Sequence, residues 1–380
     1  MSPNSIATLL ASFEQSAIAA DLDANQNRRA VVLSWPCVPV ELVRAAGLRP
    51  VPIRSGLSAT PTANTYLEPG IFPGRLRGLA EAVLTGRLSA AARIVIPRTS
   101  DPDYKFFLYL REFGRLGIVP ELPPVFLFDL LQSEGPDVRS YNADRARCLL
   151  EELAQANNRS VTLDDVRHEI VRANTARAAA RRLIALRRGM PRIAGAHVLP
   201  LLGSFWTVDP DAYTTLATAA AGEIANRAPL PGPRILLAGA PVDGTVLHSA
   251  IEARGAVVVS EVGPWGSGAV GADVVCDDDP ITALACKYAA ETIGPRTPAR
   301  QTHAVIVNLL DDVDAVVVSL PPEDTAFGWD YPALRHLLQK KGIPHTLLHS
   351  DSCGPVSAAD EERLDMLMDA APFRTEARRG

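Results

Sequence analysis

The run Ala92-Arg93-Ile94-Val95-Ile96 ends in the polar turn Pro97-Arg98-Thr99-Ser100-Asp101. A strand that stops in such a turn holds its side chains at the carboxyl edge of a sheet, where open α/β folds bind ligands. A cysteine at position 100 would supply a thiolate ligand or nucleophile, but the residue is Ser100. The neighbouring candidates for acid–base work are Asp101 and Glu41, the latter just after a proline turn at Trp35-Pro36-Cys37-Val38-Pro39. A second, weaker constellation joins Cys37 to Cys353, with His349 and Asp351 nearby, as a possible mononuclear metal site assembled from two strand ends. Each of these residues also has a structural role open to it. Ser100 or Asp101 before Pro102-Asp103 caps a helix, Glu41 favours the first turn of its helix through the dipole, and His349 fits a strand-end rim.

The elements that must position these groups are legible. Residues 30–34 form an apolar strand, Glu41 to Gly47 a short helix, and Pro50 to Arg54 a second strand. A strand–helix–strand unit favours a parallel pair with a right-handed crossover. Ile94 to Pro97 and Val125 to Leu127 add two strands, separated by the helical stretch Tyr104 to Phe113. From Asn142 to about Arg188 the pattern turns to long amphipathic helices, with an N-cap region near Ser160 to Asp165. Arg172, Arg177, Arg181, Arg182, Arg187 and Arg188 make this segment locally basic, which a solvated helix face would explain.

Pro229-Leu230-Pro231-Gly232-Pro233 marks the boundary to a second half. There, strands at 234–241, 256–260, 314–319 and 343–348 alternate with helices at 246–254 and 331–341. The expected fold is α/β: two parallel-sheet domains, residues 1–228 with a helical insertion at about 142–228, and residues 229–380. A cleft between their strand ends is the natural ligand site.

Composition removes other classes. The net charge of -5 implies no basic face and no nucleic-acid partner. No apolar stretch approaches the roughly 20 residues of a membrane span. The first 20 residues lack a basic leader before an apolar core, so the expectation is a cytoplasmic protein without membrane association. The five cysteines include no C-x-x-C pair, against a disulfide framework or a locally encoded cluster, and Cys148, Cys276 and Cys286 read as structural thiols. Gly239-Ala240-Pro241-Val242-Asp243-Gly244 lacks the G-x-G-x-x-G spacing, and neither a P-loop nor a G-x-S-x-G elbow is present.

The order of several pieces resembles the D-component family of 2-hydroxyacyl-CoA dehydratases and the class I benzoyl-CoA reductase subunits. These pieces are Pro39-Val40-Glu41-Leu42 with Ala45-Ala46-Gly47, Pro97 to Asp101, Gly239-Ala240-Pro241 with Ile251-Glu252 and Gly255-Ala256, then Tyr288, Gly342-Ile343-Pro344 and Asp351. The resemblance implies two flavodoxin-like domains with a helical insertion, working as a dimer. It also implies a [4Fe-4S] cluster held by three cysteines and charged by an ATP-dependent activator, so that an acyl-CoA thioester is reduced to a ketyl-type radical.

Against that pattern, Gly70 to Gly74, where the first cysteine is expected, and Leu320 to Phe327, where the third is expected, hold none, and Ser100 stands at the second position. The expectation is therefore a subunit of a dehydratase (a lyase) or acyl-CoA reductase complex that carries no cluster itself. A paralogous partner would supply the [4Fe-4S] group in a heterodimer, with self-pairing as a homodimer the other arrangement. The alternatives are a cluster-free acyl-CoA-binding or scaffold protein, or a repurposed enzyme using Glu41, Ser100 or Asp101 in the cleft.

Overall fold

The structure is a computed structural model; it describes residues 4–15, 29–54, 59–240, 242–263, 265–276, 278–291, 294, 296–321, 324–349 and 354–371. In chain order, α1 (Ser5–Gln15) precedes β1 (Ala30–Leu33), α2 (Val40–Ala45) and β2 (Arg49–Pro52). Helix α3 (Gly74–Leu84), β3 (Arg93–Pro97), α4 (Asp101–Arg115) and β4 (Val125–Phe128) complete the first sheet unit. Four helices follow: α5 (Pro136–Ala156), α6 (Leu163–Ala185), α7 (Gly195–Gly203) and α8 (Pro210–Ala225). The second sheet unit comprises β5 (Arg234–Gly239), α9 (Val246–Glu252), β6 (Val257–Glu261), α10 (Ser267–Val270), α11 (Pro280–Glu291), α12 (Ala299–Leu309), β7 (Ala315–Ser319), α13 (Thr325–Lys340), β8 (His345–Leu348) and α14 (Ala358–Ala370).

Both sheets are entirely parallel, with orders β2-β1-β3-β4 and β6-β5-β7-β8. Val32 pairs with Val51 on one side and Ile94 on the other, and Leu236 pairs with Val316. The order reverses at β1/β3 and again at β5/β7. A flavodoxin-like sheet binds its ligand at this switch point, beyond the carboxyl ends of the strands.

Strands β1, β5 and β7 are buried throughout, which is why they read as unbroken apolar runs rather than alternating ones. Alternate residues still face different layers. Val31, Leu33 and Val95 join the large core made by α1, α2 and α5 to α8, while Val32, Ile94 and Ile96 pack on α3 and α4. The second sheet is likewise covered on two faces, by α9 and α14 and by α12 and α13.

Strand and helix positions agree with the sequence to within a few residues, except that α13 starts six residues before Tyr331 and carries Pro332 in its interior. Helices α1, α3, α10, α12 and α14 were not read in the sequence, and α7 and α8 only as part of the helical insertion. Helix α7 follows the first sheet in the chain yet leans on the second: Gly195 N and Ala196 N donate to Glu252 at 2.5 and 3.1 Å.

The solvated basic face is corrected. Arg177 and Arg187 are among the largest fully buried side chains, and Arg172 and Arg181 are engaged with acidic partners; Arg182 and Arg188 alone in this group are exposed. Cys148, Cys276 and Cys286 are half-buried. At the end of β5 the chain requires glycine. Gly239 has φ +94°, and a Cβ there would lie 2.2 Å from the Ser319 carbonyl oxygen.

Candidate functional site at the first switch point

The turn that follows β3 is built inward. Ser100 is the N-cap of α4: its hydroxyl accepts from Asp103 N at 3.2 Å and donates to Asp103 Oδ2 at 2.7 Å. Thr99 Oγ1 donates to the same oxygen at 2.6 Å, and Arg75 Nη2 donates to Asp103 Oδ1 at 2.7 Å. Asp103 is completely buried, and the three bonds to its carboxylate oxygens satisfy a charge that could not otherwise stay there. The capping role of Ser100 is therefore what the structure displays. Asp101, one residue on, is exposed in the first turn of the helix. Arg75 also reaches the Ser34 carbonyl at 3.3 Å and lies over the Trp35 ring, tying the turn after β1 to the turn after β3.

Glu41 does more than favour a helix dipole. Its side chain is wholly buried in α2, where Arg177 Nη2 donates to Oε1 and the Tyr288 hydroxyl donates to Oε2 at 2.9 Å. Burial alone would push its carboxyl up, but the Arg177 charge and hydrogen bond, with that of Tyr288, hold it below the ordinary value. Burial and the adjacent Glu41 charge push the Tyr288 hydroxyl well above its ordinary range. Both oxygens of Glu41 are thus occupied by fixed donors.

Cys37 is buried in the β1–α2 turn and shares two clefts with Tyr288. The first is a narrow cleft that opens at the β1/β3 switch point between Pro97, Arg98, Phe128 and Arg296. The second, also narrow, is bordered by Arg177, Trp206 and Lys287. Burial, followed by the Arg177 charge, lowers the Lys287 ammonium pKa; its Nζ pairs with Glu291. Behind the wall of the first cleft, Asp129 receives Nη1 of the lining residues Arg98 and Arg296, each at 3.0 Å.

His349 lies at the end of the edge strand β8. Its ring Nδ1 is 3.2 Å from the Leu320 carbonyl oxygen, and its backbone N–H donates to Asp360 at 2.9 Å. The ring is exposed, whereas Cys37 is buried in the other sheet's turn. Cys353 and Asp351 lie outside the described residues. Among the described residues, no three His, Cys, Asp or Glu side chains gather closely enough to hold a metal ion.

The site residues that went unread, Arg75, Asp103, Asp129, Arg177 and Arg296, differ in how visible they are. Ser100-x-x-Asp103 has capping-box spacing and announces the first of these contacts. The Arg177–Glu41 and Arg296–Asp129 pairs join residues 136 and 167 positions apart, and nothing local marks them.

With this geometry established, the comparison with protein families is informative. A model of the 2-hydroxyglutaryl-CoA dehydratase D-component matches residues 37–369. The chain belongs to this family. The match begins in the turn after β1 and takes in the remaining seven strands, every helix from α2 to α13, and nearly all of α14. Membership makes the chain a dehydratase-type component of a multi-subunit system whose substrate class is acyl-CoA. No curated protein matches it. Among the described residues, no helix is long and apolar enough to cross a membrane.

Proposed function

We propose that the chain is the cluster-free member of a 2-hydroxyacyl-CoA dehydratase-type pair, lending the β1/β3 cleft to an acyl-CoA thioester while a paralogous subunit holds the [4Fe-4S] group. The observation that carries this is the inward-turned Ser100. Iron–sulfur clusters are held mainly by thiolates. At the expected ligand position stands a hydroxyl already committed to Asp103, and the other two expected segments contain no thiol. These donors do not fit a family-type cluster, so no step is routed through one here.

The chain's own residues support a binding role. The switch-point cleft combines apolar walls with charged groups near its opening, as a site for a thioester with an anionic carrier requires. Glu41 is held ionised by fixed donors and serves to fix α2 against α6 and α11.

Anaerobic purification of the chain, alone and with a cysteine-bearing paralogue, followed by iron and sulfide analysis and visible spectroscopy, tests the proposal. The expected result is a cluster and 2-hydroxyacyl-CoA turnover for the pair only. A stoichiometric [4Fe-4S] spectrum from this chain alone overturns it. Acyl-CoA binding without a stable pair would favour the scaffold or binding-protein alternative.

A further inference from the structure

We propose that Arg98 and Arg296 form an oxyanion subsite in the β1/β3 cleft, taking a carboxylate or phosphate group carried by the ligand. The identity of that ligand as an acyl-CoA rests on the function proposed above; the subsite itself rests on the following geometry.

Two guanidinium groups converge on one carboxylate. Arg98 Nη1 donates to Asp129 Oδ2 and Arg296 Nη1 to Asp129 Oδ1; Asp129 stands behind the wall, and no acidic residue is among the described residues that line the cleft. The trio therefore carries a net positive charge. A guanidinium offers five N–H donors, and most of these remain unspent. Arg296 bonds through Nη1 alone, to Asp129 and to the Arg98 carbonyl at 2.9 Å. Arg98 bonds Asp129 through Nη1, while its Nε is buried without a hydrogen-bond partner among the described residues. The donors within reach of a ligand are therefore the remaining Nη hydrogens of the two half-exposed side chains.

Position and access point the same way. The Arg98 and Arg296 side chains are 32% and 30% exposed, against 12% for Asp129, so a ligand can reach the cations without displacing the carboxylate. Arg98 is steadied by the Tyr104 ring, 4.6 Å from its guanidinium carbon. Phe128 and Leu130 line the cleft with apolar surface, which strengthens a charge-assisted contact relative to open water. The free edges of an arginine pair match planar or tetrahedral oxyanions better than a lysine would.

Calorimetric titration of the full chain at low ionic strength tests this, with glutarate, inorganic phosphate, CoA, pantetheine, valeryl-CoA and glutaryl-CoA as probes. At least one oxyanion probe should saturate, and Arg296→Gln or Arg98→Gln should weaken it about tenfold or more, the worth of one lost charge-assisted bond. Asp129→Asn should tighten it, because the competing negative charge is removed. Arg296→Lys should fall between wild type and Arg296→Gln. Glutaryl-CoA preferred over valeryl-CoA assigns the site to an acyl carboxylate, and CoA preferred over pantetheine assigns it to a carrier phosphate. Glutarate or phosphate binding that is lost in Arg296→Gln, with no CoA thioester bound, keeps the subsite and defeats the acyl-CoA function. Absence of all oxyanion binding, unchanged affinity in both glutamine variants, or weakened affinity in Asp129→Asn overturns the proposal.

Discussion

Arg177→Met is the sharpest perturbation of the switch-point architecture. In the native chain Glu41 and Arg177 are 0% and 1% exposed, and the substitution leaves the carboxylate buried with the Tyr288 hydroxyl as its remaining side-chain hydrogen-bond donor among the described residues. Removing one member of a buried pair costs about 3–5 kcal/mol. The surviving Tyr288 bond favours the lower end, about 3 kcal/mol, still a large share of a typical total of about 5–15 kcal/mol. Trp35, Trp206 and Trp265 lie in the same core as Arg177's helix, so tryptophan fluorescence in a urea series reports the loss. With a urea slope of about 2–3 kcal/mol/M the midpoint should fall by about 1 M at neutral pH.

The pH dependence separates charge from packing. In the native chain the Glu41 pKa is lowered, so its stabilisation is complete above the unfolded carboxylate pKa and is lost as pH falls through the folded value. In Arg177→Met burial acts with no opposing cation from position 177, and the pKa rises. That variant therefore regains relative stability at low pH and loses it as pH climbs through the raised value. The gap between wild type and variant should narrow from pH 7.5 to pH 4. A gap below about 1 kcal/mol at pH 7.5, or one that is unchanged at pH 4, would refute the assignment of Glu41 as a buried, ion-paired carboxylate.

Three other outcomes follow from single contacts. Ser100→Ala should lower stability by about 1–2 kcal/mol in a thermal melt through loss of the α4 cap; an unchanged melt would mean that the cap does not form. Gly239→Ala should be poorly folded, since its φ is positive and its Cβ meets the Ser319 carbonyl, whereas Gly244→Ala, with open space around it, should stay within about 0.5 kcal/mol of wild type by circular dichroism. Arg187→Met should cost about 3–5 kcal/mol, because Arg187 Nη1 and Nη2 both bond Glu261 and neither side chain reaches solvent.

The sheets were legible because parallel strands buried on both faces write themselves as short β-branched runs between glycine and proline punctuation. Helix α8 was harder to see: its buried stripe is mainly Ala217, Ala220 and Ala221, small side chains that allow close packing against α6 and leave a weak apolar period. Ser100 was ambiguous between ligand position and cap, and the Asp103 contact three residues away decides for the cap in this structure. The basic run misled because charge alone says nothing of burial. An arginine ten residues from another can be solvated or sealed, and only the distant Glu41 and Glu261 distinguish these cases.

That basic segment is also what relates the two sheets. Arg177, in α6, clasps Glu41 beyond β1, and Arg187, just past the end of α6, clasps Glu261 at the end of β6. One helix and its following turn thus hold the carboxyl side of both sheets through two buried ion pairs. Such pairs are weak sources of net stability, because desolvation offsets most of the Coulomb gain, but strong penalties fall on any arrangement that separates them. They therefore act on geometry more than on total free energy. Replacing both members, in Arg187→Met with Glu261→Leu, should recover at least half of the stability lost in Arg187→Met alone, since no unpaired charge remains. It should not recover all of it, because Ser267 N also donates to Glu261 at 2.9 Å and Arg187 to the Val258 carbonyl at 3.0 Å. A double variant no more stable than the single one in urea unfolding would show that these backbone contacts, rather than the paired charges, set the junction.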